Sequence, residues 1–292
     1  MNREEFGSIL ATIGLGLIGA GLALAGSQGG HTVAGIPIYA LCIALAFLIQ
    51  WIAFIPAWLK RTEKFYDLTG GITYSIVTLL AVLLAPNVDA RSLLLAGIVI
   101  VWAVRLSSFL FLRIRAAGED RRFRAIKESF GRFLFTWTLQ GLWVAFSLAA
   151  ALAAITSTLR LDLDLFALIG FLVWLIGFGV EVIADRQKSA FNAMPENKGK
   201  FISSGLWSWS RHPNYFGEIV LWIGVAIIAF PVLRGWGWVT LVSPVFIILL
   251  LTRISGIPLL ERRADQKWGE EAKYQSYKTR TSVLIPLPPK SK

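Results

Sequence analysis

The sequence is dominated by apolar windows that are long enough to cross a membrane. Several run for about 17 to 25 residues with few charges, the length that a helix needs to cross roughly 30 Å of hydrocarbon. We place the spans at 8–27, 36–59, 70–86, 91–112, 133–156, 165–185, 215–231 and 236–254. Because 55% of the residues are hydrophobic, an ordinary soluble domain is excluded. The sequence therefore predicts an all-α fold, a polytopic transmembrane helix bundle of seven to eight spans.

The positively charged residues are concentrated in alternate loops of this predicted bundle. Of the 29 Lys and Arg residues, 25 lie in the N-terminus, in the loops at 60–69, 113–132 and 186–212, and from residue 253 onwards. By the positive-inside rule these segments and both termini face the cytoplasm. We predict a multi-pass membrane protein with this orientation. Anionic membrane lipids explain the basic excess, so no nucleic-acid partner is expected.

The chain shows no fixed internal repeat and no long linker, so we predict one domain over residues 1–292. Cys42 lies in an apolar run and is interpreted as a core residue. With two distant histidines and one cysteine, no metal site is predicted. The mixed charges of residues 262–278 indicate a short amphipathic helix followed by an extended end. A monomer or weak oligomer is expected.

A polar segment at 204–218 stands directly before the seventh span. Pro213 is typical of the first turn of a helix, so the free backbone amides of that turn would suit a pyrophosphate or a carboxylate. Trp207 and Trp209 either stack on a ring or anchor the chain at the interface, and we favour anchoring. The cofactor-binding candidates in this segment are Arg211, His212, Asn214, Tyr215 and Glu218.

Further charged side chains lie inside or at the ends of predicted spans. Glu181, Asp185 and Lys188 follow at i, i+4 and i+7, so one helix face presents all three. Carboxylates at this depth usually mark a site, although an intrahelical ion pair with Lys188 is the alternative. Arg105 lies within a span and needs an anionic partner. Arg253 and Glu261 bracket the end of the eighth span, and all six residues are cofactor-binding candidates.

The loop between the second and third spans supplies candidate catalytic residues. Within 62–74 a carboxylate stands beside a phenol and two glycines follow, which could place an acidic donor at a pocket mouth. A turn with capping residues explains the same pattern almost as well. The candidates are Glu63, Tyr66, Asp67 and Tyr74.

These motifs resemble the steroid 5α-reductase-like membrane family, in particular its uncharacterised bacterial branch. The resemblance rests on TEKFYDLTG from Thr62, on residues 181–188 and 206–218, and on YQSYK from Tyr274. It is best from about residue 90 to the end. It implies a bundle of seven or so transmembrane helices in which cytoplasmic loops cap a cofactor cavity. It also implies NADPH as the cofactor and hydride delivery to the carbon–carbon double bond of an enone.

The resemblance carries roles onto individual residues. Asp185 matches a cofactor-binding aspartate, and Asn214 and Glu218 match an Asn-x-x-Gly-Glu element. Arg105 and Arg253 match intramembrane arginines of the family, and Asp67 falls at a substrate-facing glutamate. Trp102 stands near the carbonyl-polarising tyrosine and cannot donate a phenolic proton, which leaves Tyr66 or Tyr74 as the replacement.

The core Arg211-His212-Pro213-x-Tyr215 also resembles isoprenylcysteine carboxyl and phospholipid methyltransferases, which bind S-adenosylmethionine. That family often has a later pair of glutamates, whereas here Arg262 follows Glu261. The primary prediction is an NADPH-dependent reductase of an α,β-unsaturated carbonyl in a lipid-like small-molecule substrate, either a sterol or an isoprenoid. A membrane methyltransferase is the first alternative, and a non-catalytic lipid-binding protein is the second.

Overall fold

The computed structural model describes residues 3–289, and Lys290 and Lys292, two of the cations counted above, lie outside them. In this part of the chain α-helices alternate with short connections, and the strands form one small hairpin. The helices are α1 Arg3–Gly26, α2 Ile38–Leu59, α3 Tyr66–Leu84, α4 Ala90–Ala117, α5 Phe130–Thr156, α6 Leu165–Ala193, α7 Pro213–Ala229, α8 Val242–Leu249, α9 Ile257–Trp268 and α10 Ala272–Arg280. The hairpin pairs β1 Thr32–Val33 with β2 Ile36–Pro37. The all-α prediction is confirmed.

Eight helical segments within residues 3–289 are long and apolar enough to cross a membrane, and each overlaps one predicted span. The last of them, Gly235–Trp268, is not one regular helix. It opens with 3₁₀ turns over Gly235–Leu241, continues as α8, and turns π-helical over Leu250–Ile254. Gly256 then precedes α9, where Pro258 occupies the first turn. The amphipathic tail that the sequence predicts consists of two short helices, α9 and α10.

The chain divides into two compact units. The first unit combines Met1–Ala167 with Ile228–Ser243, and the second combines Leu168–Ile227 with Pro244–Lys292. The first unit therefore holds α1 to α5, and the second holds most of α6, α7 and α8 together with α9 and α10. The single reductase-like domain stays a prediction.

In the first unit α5 is the central helix. Its apolar window is 83% buried, far more than the windows of α1 to α4. The alanine-rich stretch Ala149–Ala154 explains this, because small side chains let neighbouring helices approach closely. Towards its N-terminus, Phe133 and Trp137 fill the space between α5 and Phe54 of α2. This unit is thus built by packing helices around one small-residue stripe.

In the second unit α6 and α7 pack antiparallel through glycines. A Cβ on Gly177 would lie 2.4 Å from the backbone nitrogen of Leu221, and one on Gly217 would lie 2.6 Å from that of Glu181. A Cβ on Gly224 would likewise lie 2.6 Å from backbone atoms of α6. Because no side chain fits at these positions, the two backbones touch. The resulting register sets residue 185 level with the first turn of α7.

Candidate functional site

The segment before α7 is fixed to α6 by two hydrogen bonds. Gln187 Oε1 accepts from the backbone nitrogen of Leu206 at 2.9 Å, and Trp207 Nε1 donates to the carbonyl oxygen of Ala184 at 3.0 Å. Gly205 adopts a positive φ of 61° at the entry to this turn, and a Cβ there would lie 2.5 Å from the Gln187 amide. Glycine is therefore required for the turn to dock on α6.

The extended tail fixes the other side of the same segment. The backbone nitrogen of Arg211 donates to the carbonyl oxygen of Ser282 at 2.8 Å, and the Ser210 hydroxyl donates to that of Leu284 at 2.7 Å. These bonds resemble one rung of a parallel sheet, and they satisfy backbone groups that a loop would otherwise leave unpaired. Arg211 and His212 are therefore held on a braced segment.

Glu261 of α9 joins two of the predicted site residues. Its Oε1 lies 2.8 Å from His212 Nε2, and its Oε2 lies 2.8 Å from Arg211 Nη1. The Arg211 contact is an ion pair without hydrogen-bond geometry, and neither its Nε nor its Nη1 has a hydrogen-bond partner among residues 3–289. Because only 10% of the Arg211 side chain is exposed, these buried donors favour an additional acceptor.

The protonation state of His212 follows from its surroundings. Burial lowers the pKa of this imidazole below its usual value, and the neighbouring Glu261 opposes the shift without cancelling it. Lys188 and Arg211 act in the same direction as burial. His212 is therefore neutral near pH 7, and the hydrogen on its Nε2 is the one donated to Glu261.

A pocket of about 280 Å³ opens beside this cluster. Five cationic side chains line it, against the one carboxylate of Glu261. They are Lys188, Lys200, Arg211, Arg263 and Lys267. Two of the lysines lie over indole rings that also line the pocket, Lys188 at 4.5 Å from the Trp207 centroid and Lys267 at 4.4 Å from that of Trp268.

Aromatic rings complete the lining of the pocket. Phe201 lies against three of them, with centroid separations of 5.7 Å to Trp268, 5.2 Å to Tyr274 and 5.4 Å to Tyr277. Tyr274 lies outside the helices that cross the membrane. Burial raises the pKa of this residue to about 12, so its phenol stays neutral. Cations beside flat apolar rings suit a ligand that combines phosphate with an aromatic base.

The size of the pocket limits how much of a cofactor it can hold. Small-molecule sites usually measure about 300 to 1,000 Å³, so 280 Å³ is at the lower end. The residues present fit the phosphate and base of one nucleotide rather than an entire dinucleotide.

Four of the predicted cofactor residues line this pocket: Lys188, Arg211, His212 and Glu261. The others in the second unit do not, within the part of the chain that the structure describes. Of these, Glu181, Asp185 and Glu218 are buried, Asn214 and Tyr215 are half-buried, and Arg253 is exposed. The ring of Tyr215 is stacked on His212, with centroids 5.8 Å apart. Roles for these six residues stay predictions.

The first unit carries the predicted catalytic residues, and two of them are held in contacts with the chain. Glu63 is 4% exposed, its Oε2 lies 2.7 Å from Lys127 Nζ, and its Oε1 accepts from the backbone nitrogen of Asp120. The Tyr66 hydroxyl donates to the carbonyl oxygen of Thr136 at 2.9 Å. Both side chains thus tie the start of α3 to the rest of the unit.

The remaining predicted residues of this unit lie on α3 and α4. Asp67 stands in the first turn of α3 and is half-buried. Tyr74 is buried and meets the ring of Trp102 edge-on, with centroids 5.1 Å apart. Arg105 is half-buried, with its guanidinium 5.4 Å from the Phe109 centroid on the same helix.

Several pocket residues were not predicted from the sequence. On α9, Arg263, Lys267 and Trp268 face the pocket together with Glu261, which is the spacing of one helix face. That periodicity was the available signal, but it does not say what the face contacts. Phe201 stands in a loop without a periodic pattern and carried no signal.

Comparisons with known proteins match the sequence to one family and to several curated proteins. A family described as "Protein of unknown function (DUF1295)" matches residues 53–281. The 3-oxo-5-alpha-steroid 4-dehydrogenase 1 of Rattus norvegicus is 29% identical over 120 residues, which is 41% of this chain and 41% of that protein. Steroid 5-alpha-reductase DET2 of Gossypium hirsutum is 29% identical over 120 residues, 41% of this chain and 42% of that protein.

A shorter match is of a different class. Probable O-methyltransferase ustE of Ustilaginoidea virens is 34% identical over 58 residues, 20% of each chain. The matched segment spans about two fifths of the length of the two reductases named above. No solved structure matches the chain significantly.

Proposed function

The chain belongs to the DUF1295 family, and from its steroid-reductase relatives and the charge of the second unit's pocket we propose an NADPH-dependent reductase. The reaction is reduction of the carbon–carbon double bond of an α,β-unsaturated carbonyl. The substrate is lipid-like, a sterol or an isoprenoid, because eight apolar helices embed the protein in a membrane that dissolves such molecules. We further propose that both termini and the pocket face the cytoplasm of a bacterial inner membrane.

The observation that supports NADPH most strongly is the charge of the pocket. Five cations against one carboxylate suit a ligand with a pyrophosphate and a 2′-phosphate. S-adenosylmethionine carries a sulfonium and an ammonium against a single carboxylate, so its net charge is positive. The same five cations would repel it, which is why the reductase is favoured over the methyltransferase.

The side chains of the pocket then have separate roles. Arg211 and Lys188 bind phosphate, and the Nε of Arg211, which has no partner among residues 3–289, is available as a donor. Glu261 orients Arg211 and His212 through its two oxygens. NADPH, when bound, supplies the hydride that adds to the β-carbon of the enone.

An acid must stabilise the negative charge that develops on the carbonyl oxygen. Because Glu63 and Tyr66 are committed to contacts with the chain, Asp67 in the first turn of α3 is the favoured candidate, and Tyr74 stays the second. Asp185, Asn214 and Glu218 are proposed to hold polar parts of NADPH.

The methyltransferase remains the second candidate function, because of one specific observation. The match to the probable O-methyltransferase ustE is short, but its 34% identity exceeds that of the reductases. The methyltransferase alternative predicts that S-adenosylmethionine, not NADPH, binds the folded protein.

The experiment is a reduction assay with purified protein in detergent. An enone probe, 4-cholesten-3-one, is added with NADPH, and product is identified by a gain of two hydrogen atoms in mass spectrometry. Asn214→Ala is expected to abolish NADPH retention with helix content unchanged by circular dichroism. Asn197→Ala is the matched control, since Asn197 belongs to none of the motifs that suggest a cofactor role and donates to the carbonyl of Phe191. Unchanged cofactor affinity in Asn214→Ala would count against its cofactor role.

A further inference from the structure

Two glutamine side chains are buried inside the first unit, within apolar helices. Gln50, near the middle of α2, is fully buried, and Gln140 of α5 is 8% exposed. Both helices are candidate membrane spans. A polar atom in that environment is costly unless it has a hydrogen-bond partner, because neither lipid nor bulk water replaces one.

The orientation of the Gln50 amide is fixed by its neighbours. Its nitrogen lies 2.7 Å from Thr73 Oγ1, and that hydroxyl in turn donates to the carbonyl oxygen of Thr69 at 2.7 Å. Since the hydroxyl hydrogen is already used, Thr73 can only accept from Gln50. The group that faces Thr73 is therefore the amino group, and Oε1 is left without a partner among residues 3–289.

The same argument fixes the Gln140 amide. Its nitrogen lies 3.0 Å from the backbone carbonyl oxygen of Tyr66, which can only accept. Its Oε1 has no partner in the described part of the chain either. Gly70 makes room for this contact, because a Cβ there would lie 2.6 Å from the Gln140 nitrogen.

The two amides lie along one face of α3. Tyr66, Gly70 and Thr73 follow at i, i+4 and i+7, so Gln140 and Gln50 reach this face about one turn apart. Both free atoms are acceptors, so they cannot satisfy each other. Only a hydrogen-bond donor from outside these side chains can complete the cluster.

We propose that Gln50 and Gln140 form a binding site for a hydroxyl group inside the first unit. The hydroxyl belongs either to an ordered water molecule, whose two hydrogens serve both oxygens, or to a lipid alcohol, whose single hydrogen is shared between them in a three-centre bond. Tyr66 and Asp67 begin the same helix, so a bound alcohol would be oriented beside the candidate catalytic segment. The alternative in which a lipid alcohol binds, called the lipid arm below, rests on the proposed function. The alternative in which water binds, the water arm, does not.

The lipid arm is tested by thermal unfolding in detergent with cholestanol and with its methyl ether. The alcohol is expected to raise the melting temperature of the wild type, and the ether, which cannot donate, is not. Gln50→Leu and Gln140→Leu should each lose this shift. Gln266→Leu, at an exposed position of α9, is the matched control and should keep it.

A further variant keeps this test informative if a glutamine variant does not fold. Gly70→Ala leaves both glutamines in place but displaces the Gln140 amide, so it should also lose the alcohol shift. NADPH binding, measured in parallel, should be unchanged in Gln50→Leu. That separates failure of this site from failure of the cofactor assignment.

The water arm is tested by an experimental structure that shows ordered water. Density within hydrogen-bond distance of both Oε1 atoms supports the proposal, whether it is water or a lipid hydroxyl. Two results together overturn the proposal. The structure shows no density beside the two Oε1 atoms, or shows the amides bonded to other protein donors, and the alcohol and the ether shift the melting temperature equally.

Discussion

Two buried arginines, one in each unit, are used in opposite ways. Arg91 of the first unit has a side chain that is 1% exposed, and both of its terminal nitrogens bond to the chain, whereas its Nε has no partner among residues 3–289. It donates to the carbonyl oxygens of Ile228 and Asp162, each at 2.8 Å, and pairs with Asp164 at 2.9 Å. Its contacts join three separate stretches of the unit, so Arg91 holds structure.

Arg211 of the second unit is nearly as buried but is satisfied differently. Its one carboxylate, Glu261, is shared with His212, and two of its nitrogens make no hydrogen bond within residues 3–289. Four other cations surround the adjoining pocket. The comparison teaches that burial of an arginine does not identify a ligand site. What distinguishes Arg211 is that its two unused donors adjoin a pocket lined by further cations.

The largest expected effect is on stability, in Arg91→Ala. Removing the buried guanidinium should lower the free energy of unfolding by about 3 kcal/mol, because two carbonyl acceptors and the exposed Asp164 carboxylate lose their partner. Thermal unfolding in detergent measures this. Arg234→Ala is the control, because Arg234 is exposed and its bonds go to carbonyls of its own loop. If both variants melt alike, Arg91 is not structural.

The next effect is on binding, in Arg211→Gln. Loss of a charge-assisted hydrogen bond of about 1.5 to 3 kcal/mol should weaken NADPH binding roughly 10- to 100-fold. The melting temperature without ligand should change much less than in Arg91→Ala, because His212 still pairs with Glu261. A large loss of stability with unchanged NADPH affinity would place Arg211 in the same class as Arg91.

A smaller effect separates two neighbouring arginines of α9. Arg263 lines the pocket and Arg262 does not, although both are exposed. Arg263→Gln should weaken NADPH binding by about two- to fivefold, as expected for a solvent-screened charge, and Arg262→Gln should leave it unchanged. Titration calorimetry at low salt distinguishes them. Equal losses would mean that overall charge, not the pocket, attracts the ligand.

The smallest effect is on the pH dependence of stability. Burial lowers the pKa of His212 in the folded chain. As the pH falls, the imidazole therefore binds a proton in the unfolded chain before it does so in the folded chain. Stability from this group is complete above the usual imidazole value of 6.5 and falls as the pH drops below it. The melting temperature of the wild type should therefore fall more steeply from pH 6.5 to 5.5 than that of His212→Asn. Parallel slopes would contradict a neutral, buried His212.

Local features of the sequence predicted the helices better than the pocket. The eight spans follow from length and apolar content alone, and Pro213 marks the start of α7 because its fixed φ suits a first helical turn. Lys188 and Arg211 were predicted cofactor residues, and both line the pocket.

The rest of the pocket depends on contacts between distant segments. Arg263 and Trp268 reach it only because α9 starts anew after Gly256 and Glu261 contacts a residue 49 positions earlier in the chain. No pattern local to residues 257–268 specifies that contact. The Oε1 atoms of Gln50 and Gln140, which have no partner among residues 3–289, were missed for the same reason. They depend on which hydrogen-bond acceptors α3 presents to α2 and α5.

The most direct test of the central claim compares NADPH and S-adenosylmethionine in thermal unfolding of the purified wild-type protein and of Arg211→Gln. A ligand that binds only the folded state raises the melting temperature. NADPH should stabilise the wild type, Arg211→Gln should lose most of that stabilisation, and S-adenosylmethionine should have no effect on either. Stabilisation by S-adenosylmethionine but not by NADPH would contradict the reductase and establish the methyltransferase in its place.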